Sequence, residues 1–129
     1  MCVVIVTGGS YGTGREVVRL LARRGYAIVV VYLDDQSSAE ATVEEIFATD
    51  GTAVAVRADV SDDLDVARLF DETIAAFGGV DAVVHTEEIT PALARQLRER
   101  AITVEDAGAD GDVAELIWLL DRRRHRPTR

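Results

Sequence analysis

Residues 2–14, CVVIV running directly into TGGSYGTG, constrain the fold more than any other stretch of the chain. A continuous apolar run of this length suits a strand buried on both faces, as strands are in a parallel sheet. The glycines behind it open a helix that carries Val17, Val18, Leu20 and Leu21 on one face and ends at Gly25. Strand, glycine turn and helix in that order form the first unit of a parallel α/β fold. Such a turn lets backbone N–H groups approach a phosphate without a clash from Cβ, and the helix N-terminus adds its partial positive charge. Gly8 is placed to make the tight turn, Gly12 to allow close approach, and Gly14 to let helix and sheet pack. Thr7, Ser10, Tyr11 and Thr13 complete the loop. The same glycines also admit a purely structural reading, as a βα turn with no ligand.

The alternation continues along the chain. AIVVVYL (27–33) reads as a second strand, and Ser37 with Glu40 three residues on reads as the capping box of a helix that stops at Gly51. TAVAVRA (52–58) reads as a third strand. Ser61 is expected to cap a helix whose face runs through Leu64, Val66, Leu69, Phe70 and Ile74 to Gly78. VDAVVH (80–85) is the fourth strand, and Thr90-Pro91 the N-cap and first residue of a helix over 91–99. AITVE (101–105) is a fifth strand, followed by a helix over 113–120 with Asp112 and Glu115 at its start. Five βα units predict a minimal Rossmann-like three-layer α/β/α sandwich with a five-stranded parallel sheet, order 3-2-1-4-5. The domain is expected to cover residues 1–121, with a basic, disordered tail over 122–129.

Charge and composition exclude several function classes. A net charge of −9 argues against general nucleic-acid binding, which usually needs a basic face. The five Arg within 121–129 read as helix-end cations followed by a frayed terminus, or as a polyanion-binding tail. No apolar stretch approaches the ~20 residues of a membrane span, and no basic segment precedes the first apolar run, so neither membrane nor secretory signal is expected. The single Cys2 cannot close an intramolecular disulfide, which fits a reducing cytoplasm. All 14 basic residues are Arg; the chain contains no Lys and no Asn.

TGGSYGTG, then RGYAIVVVYLDD, AEATVEEIFATDGTAVAVRADVSD and AFGGVDAVVH, resembles the short-chain dehydrogenase/reductase family over residues 1–85. The resemblance implies a Rossmann fold, NAD or NADP as cofactor, and hydride transfer between alcohols and ketones. It places Thr7, Gly8, Gly12 and Gly14 in the phosphate loop, and Asp59 and Val60 at the adenine, with Asp59 accepting from the exocyclic amine. Tyr32 falls where NAD-preferring members carry an Asp for the adenosine ribose, unless it is only a strand-end aromatic. Asp34 and Asp35 beside it would repel a 2′-phosphate, whereas Arg15 would attract one, so the choice between NAD and NADP stays open.

The resemblance has two breaks. The family's NNAG at the end of strand four is replaced by His85-Thr86-Glu87-Glu88. A carboxylate about 4 Å from a phosphate is repelled by ~1 kcal/mol in water and ~4 kcal/mol at an effective dielectric of about 20. The helix dipole offsets typically ~0.3–1 kcal/mol of that. An inward-facing Glu88 would therefore oppose phosphate binding, and an outward-facing one would matter little. The segment bearing the family's Tyr-x-x-x-Lys motif is also absent, and DVAELIWLL resembles a late family helix, as in a member with its middle removed. Tyr11, Tyr26 and Tyr32 lie far from where the family's tyrosine belongs, and Arg does not substitute easily for the missing Lys.

His85, with Glu87 and Glu88, stands at the strand end where ligands bind in such sheets. It is read as part of a solvated rim and a candidate cofactor contact, with a metal site not expected. Trp118 is expected in the core. Apolar surface left uncovered by a missing segment, and the edge of strand five, point to a homodimer through helices 91–99 and 113–120. The leading functional reading is an adenine-nucleotide binder without reductase catalysis, a sensor or regulatory subunit. An interaction module with a blocked pocket, and an oxidoreductase completed by a partner chain supplying Tyr and Lys, are the alternatives.

Overall fold

The computed structural model describes residues 3–8, 12–85, 90–99 and 103–106, of which 12, 13 and 103–106 are described through their backbone. In chain order the elements are β1 (Val3–Thr7), α1 (Gly12–Arg23), β2 (Ala27–Tyr32), α2 (Gln36–Ala48), β3 (Thr52–Arg57), α3 (Asp63–Phe77), β4 (Ala82–His85), α4 (Pro91–Glu99) and β5 (Thr103–Asp106). Every ladder is parallel. β1 lies between β2 and β4, pairing Val4 with Ile28 on one side and with Ala82 on the other.

Strand alternation divides the core into two layers. Val4, Val6, Ile28, Val30 and Val84 face Val17, Val18 and Leu21 of α1 and Ala39 and Ile46 of α2. Ile5, Val29, Val31 and Val83 face Val66, Leu69 and Phe70 of α3 and Leu93 and Leu97 of α4. Because successive strand residues point to opposite faces, the uninterrupted apolar runs of β1 and β2 serve both layers at once. The two buried helix threonines are satisfied locally: Thr42 donates to the Ser38 carbonyl and Thr73 to the Leu69 carbonyl, each one helical turn back.

The expected sandwich of five complete βα units is corrected at its β4 edge, where β5 is present as a short strand without a described helix. The complete strand–helix units among the described residues number four, with strand order 3-2-1-4 and four helices. β5 lies beside β4, pairing Ala82 with Thr103, and residues 101 and 102 of the expected strand 101–105 lie outside the described residues. β4 is itself short because Asp81 turns back onto β1. Its carboxylate accepts from the Val3 amide at 2.7 Å and its amide donates to the Val3 carbonyl at 2.9 Å, so the ladder starts at Ala82. The expected helix 113–120, Trp118 and the tail 122–129 lie outside the described residues.

Two caps and two core positions also differ from the sequence reading. α2 is capped by Asp35, which accepts from Ser38, rather than by Ser37; α3 is capped by Asp62 rather than Ser61. Leu64 and Ile74, expected on the buried face of α3, are 81% and 41% exposed. The helix begins at Asp63, and its inward stripe is Val66, Leu69, Phe70 and Thr73.

Candidate functional site

A cleft of about 400 Å³ opens at the carboxyl ends of the strands. Thr7 and Gly8 at the end of β1 form one wall. Val31 and Tyr32 with Leu33, Asp34 and Asp35 behind them form the second, and Ala58, Asp59, Val60 and Ser61 after β3 form the third. Gly8 has φ 70°, a left-handed conformation that glycine adopts without strain and that turns the chain away from the sheet toward α1. Ala58 donates its amide to the Tyr32 carbonyl at 2.9 Å, carrying the β2–β3 pairing up to the cleft.

Asp59 is held in a tight turn. The Ser61 hydroxyl and the Ser61 amide, the latter at 2.9 Å, both donate to Oδ1 of Asp59. Those bonds, the hydroxyl's first, hold the carboxyl below its ordinary value, with a smaller contribution from the nearby Arg57 cation. Both use Oδ1, and among the described residues no donor reaches Oδ2. Asp35 is also held low, by its bonds to Ser38. The rim that Asp35 and Asp59 share is therefore anionic at neutral pH.

Five of the sequence-predicted residues, Thr7, Gly8, Tyr32, Asp59 and Val60, are brought together in the cleft. Gly14 is buried within the first turn of α1, and Gly12 and Thr13 begin that helix. Ser10, Tyr11, Thr86, Glu87 and Glu88 lie outside the described residues. His85 is not among the residues lining the cleft. It ends β4, 8% exposed, in register with Thr7 of β1 and Asp106 of β5. Arg15 turns toward α2, where its guanidinium lies 3.5 Å from Glu45, and Arg19 binds both oxygens of the same carboxylate at 2.9 and 3.0 Å. Among the described residues no group of three or more His, Cys, Asp and Glu is placed to hold a metal ion.

Sequence reasoning missed the groups that hold the third wall. Asp65 accepts from the Asp59 amide at 3.0 Å, Arg68 donates to the Arg57 carbonyl at 2.7 Å, and the Thr90 hydroxyl donates to the Val60 carbonyl. The Asp-x-Ser spacing of Asp59 and Ser61 is a local turn signal that was available in the sequence. The contact from Thr90 had no such signal.

The donor and acceptor set suits an adenine nucleotide: a glycine turn at a helix N-terminus for phosphate, and an anionic acceptor across the cleft for an amine. Comparison with known proteins identifies the family. The family described as short chain dehydrogenase matches residues 2–96. An uncharacterized oxidoreductase of Methylorubrum extorquens is 38% identical over 87 residues, covering 67% of this chain and 35% of the relative. A short chain dehydrogenase from Burkholderia cenocepacia, solved in complex with NADP, is 35% identical, with a TM-score of 0.62 over 67% of this chain and 35% of that one. A blue fluorescent protein from a metagenomic library, solved in complex with NADPH, is 36% identical, with a TM-score of 0.61 over 64% of this chain and 34% of that one. The chain thus spans about a third of the length of these relatives. On the strength of the matched loop, strands and helices through α4, the chain belongs to the short chain dehydrogenase family.

Proposed function

We propose that this chain binds an adenine dinucleotide through its adenosine and pyrophosphate and does not itself carry hydride transfer, acting as a sensor or regulatory subunit. The observation that carries the reading is the convergence of Gly8, Tyr32, Asp59 and Val60 on one cleft. The Gly8 turn and the start of α1 would hold the pyrophosphate, Tyr32 the ribose, and Asp59 the exocyclic amine. The missing catalysis is argued from the chain's own composition. It has no Lys, the group that the family resemblance puts beside the reacting tyrosine.

NAD is the preferred form in this reading. Asp34 and Asp35 line the cleft, while Arg15, the cation nearest the glycine loop in sequence, is engaged with Glu45. A 2′-phosphate about 4 Å from one such carboxylate is opposed by ~1 kcal/mol in water, so NADP should bind about five- to tenfold more weakly. The gap should narrow as salt rises, because exposed charges are screened over about 10 Å at 0.1 M.

Calorimetric titration with NAD, NADP and ADP-ribose tests this directly. NAD and ADP-ribose should bind with similar affinity, since the nicotinamide end is given no role. Failure of all three to bind would remove the proposal. The second reading is an oxidoreductase completed by a partner chain. It is favoured by the chain's spanning only about a third of relatives named as oxidoreductases and reductases. It predicts nicotinamide reduction only when a chain supplying Tyr and Lys is added.

A further inference from the structure

The turn that carries Asp59 and Val60 into the cleft is held from behind by two helices. Asp65, in the first turn of α3, accepts from the Asp59 amide at 3.0 Å. Thr90, at the start of α4, donates its hydroxyl to the Val60 carbonyl while accepting the Leu93 amide at 3.2 Å. Arg68 steadies the arrangement, donating to the Arg57 carbonyl at 2.7 Å and lying 3.6 Å from Asp65. Asp65, Arg68 and Thr90 do not line the cleft. What they fix is the backbone on which the lining side chains stand. A wall ordered in advance does not lose that freedom again when a ligand arrives, which raises affinity without adding a contact.

We infer that Asp65 and Thr90 are positioning residues that pre-set the base-recognising wall of the cleft, and that Thr90 couples this wall to α4. The inference rests on the adenine reading of the cleft. Thr90 allows a clean dissection because its one hydroxyl does two things. Thr90→Ser keeps both the helix cap and the bond to Val60. Thr90→Asp keeps the cap, since a carboxylate accepts from helix amides, but an ionised carboxylate has no proton to donate to the Val60 carbonyl. Thr90→Val loses both.

The test has two arms. The first uses the unliganded protein and amide hydrogen exchange over residues 59–62. Exchange of the Asp59 amide should accelerate about tenfold in Thr90→Asp and in Asp65→Ala, and stay unchanged in Thr90→Ser. The second arm titrates ADP-ribose and, separately, inorganic pyrophosphate by calorimetry, well below the melting temperature of each variant. Thr90→Asp and Asp65→Ala should weaken ADP-ribose about tenfold, the loss of roughly one hydrogen bond, with pyrophosphate changed less than about twofold and Thr90→Ser resembling the parent. Equal weakening of both ligands, or unchanged ADP-ribose affinity, would overturn the inference while leaving the adenine reading standing. A parent protein that binds pyrophosphate but not ADP-ribose would overturn the adenine reading, and with it the recognition role. The exchange arm would still decide whether these two side chains hold the turn.

Discussion

Asp59 owes its lowered titration chiefly to Ser61, two residues away. Since Ser61 holds the Asp59 carboxyl below its ordinary value, Ser61→Ala should move its titration upward toward about 3.9, the unperturbed aspartate value, as read by carboxyl NMR. An unchanged titration would refute the assignment. Asp35, Glu45 and Asp59 are all depressed in the folded state, Glu45 chiefly by its hydrogen bond from Arg19. A depressed carboxylate adds stability that is present above its unfolded pKa and lost as pH falls through the folded one. Denaturant melts should therefore be flat from about pH 8 to 5 in this respect and weaken below about pH 4. Gly51 poses a steric constraint instead. A Cβ there would lie 2.5 Å from Ile46 Cγ2 and 3.1 Å from the Ile46 carbonyl. Gly51→Ala should cost about 1–3 kcal/mol, typical of overpacking, in urea unfolding. Of the cleft residues, Asp59, Val60 and Tyr32 were named through the family resemblance, and all three line the cleft. The Ser61 contact was misassigned as a helix cap because SDDLD (61–65) offers several capping candidates at once.

Helix ends illustrate that ambiguity at the next scale. Ser61 directs its hydroxyl to Asp59, and the cap passes to Asp62, which accepts from Leu64 at 2.9 Å and Asp65 at 3.4 Å. Asp62→Ala should therefore destabilise the protein by about 0.5–2 kcal/mol, and Ser61→Ala by less, measured side by side in chemical denaturation. The reverse order would restore Ser61 as the cap. α4 was read correctly from Thr90-Pro91, because proline at the first helical position and a hydroxyl before it are a strong joint signal. The side chains of α3 were only partly legible. Val66, Leu69 and Phe70 fall on the buried stripe, but Leu64 stands outside it because the helix meets the sheet one turn further in. Ion pairs between helices, Arg19 with Glu45 and Arg95 with Asp63, are half-exposed and worth at most about 1 kcal/mol each.

For the whole molecule, packing on both faces of β1 and β2 carries the stability. Phe70 is fully buried between α3 and the sheet, and Phe70→Ala should cost about 3–5 kcal/mol and lower the urea midpoint accordingly. Among the described residues β5 is the terminal strand at the β4 edge. The homodimer expected from the sequence is checked by sedimentation, where a compact monomer across micromolar concentrations would count against it. The proposed contact through α4 has less support, because Ala92, Leu93 and Leu97 already face the core. The sequence by itself determined the alternation of strands and helices, the glycine turn, the strand ends that carry Tyr32 and Asp59, and the lack of lysine. All of these are local in the chain, set by side-chain period, backbone freedom or composition. Only the tertiary structure decided which carboxylate caps each helix, where β4 begins, and that Thr90 holds a carbonyl 30 residues before it. Those depend on groups brought together by packing, whose separation along the chain leaves no periodic mark in the sequence.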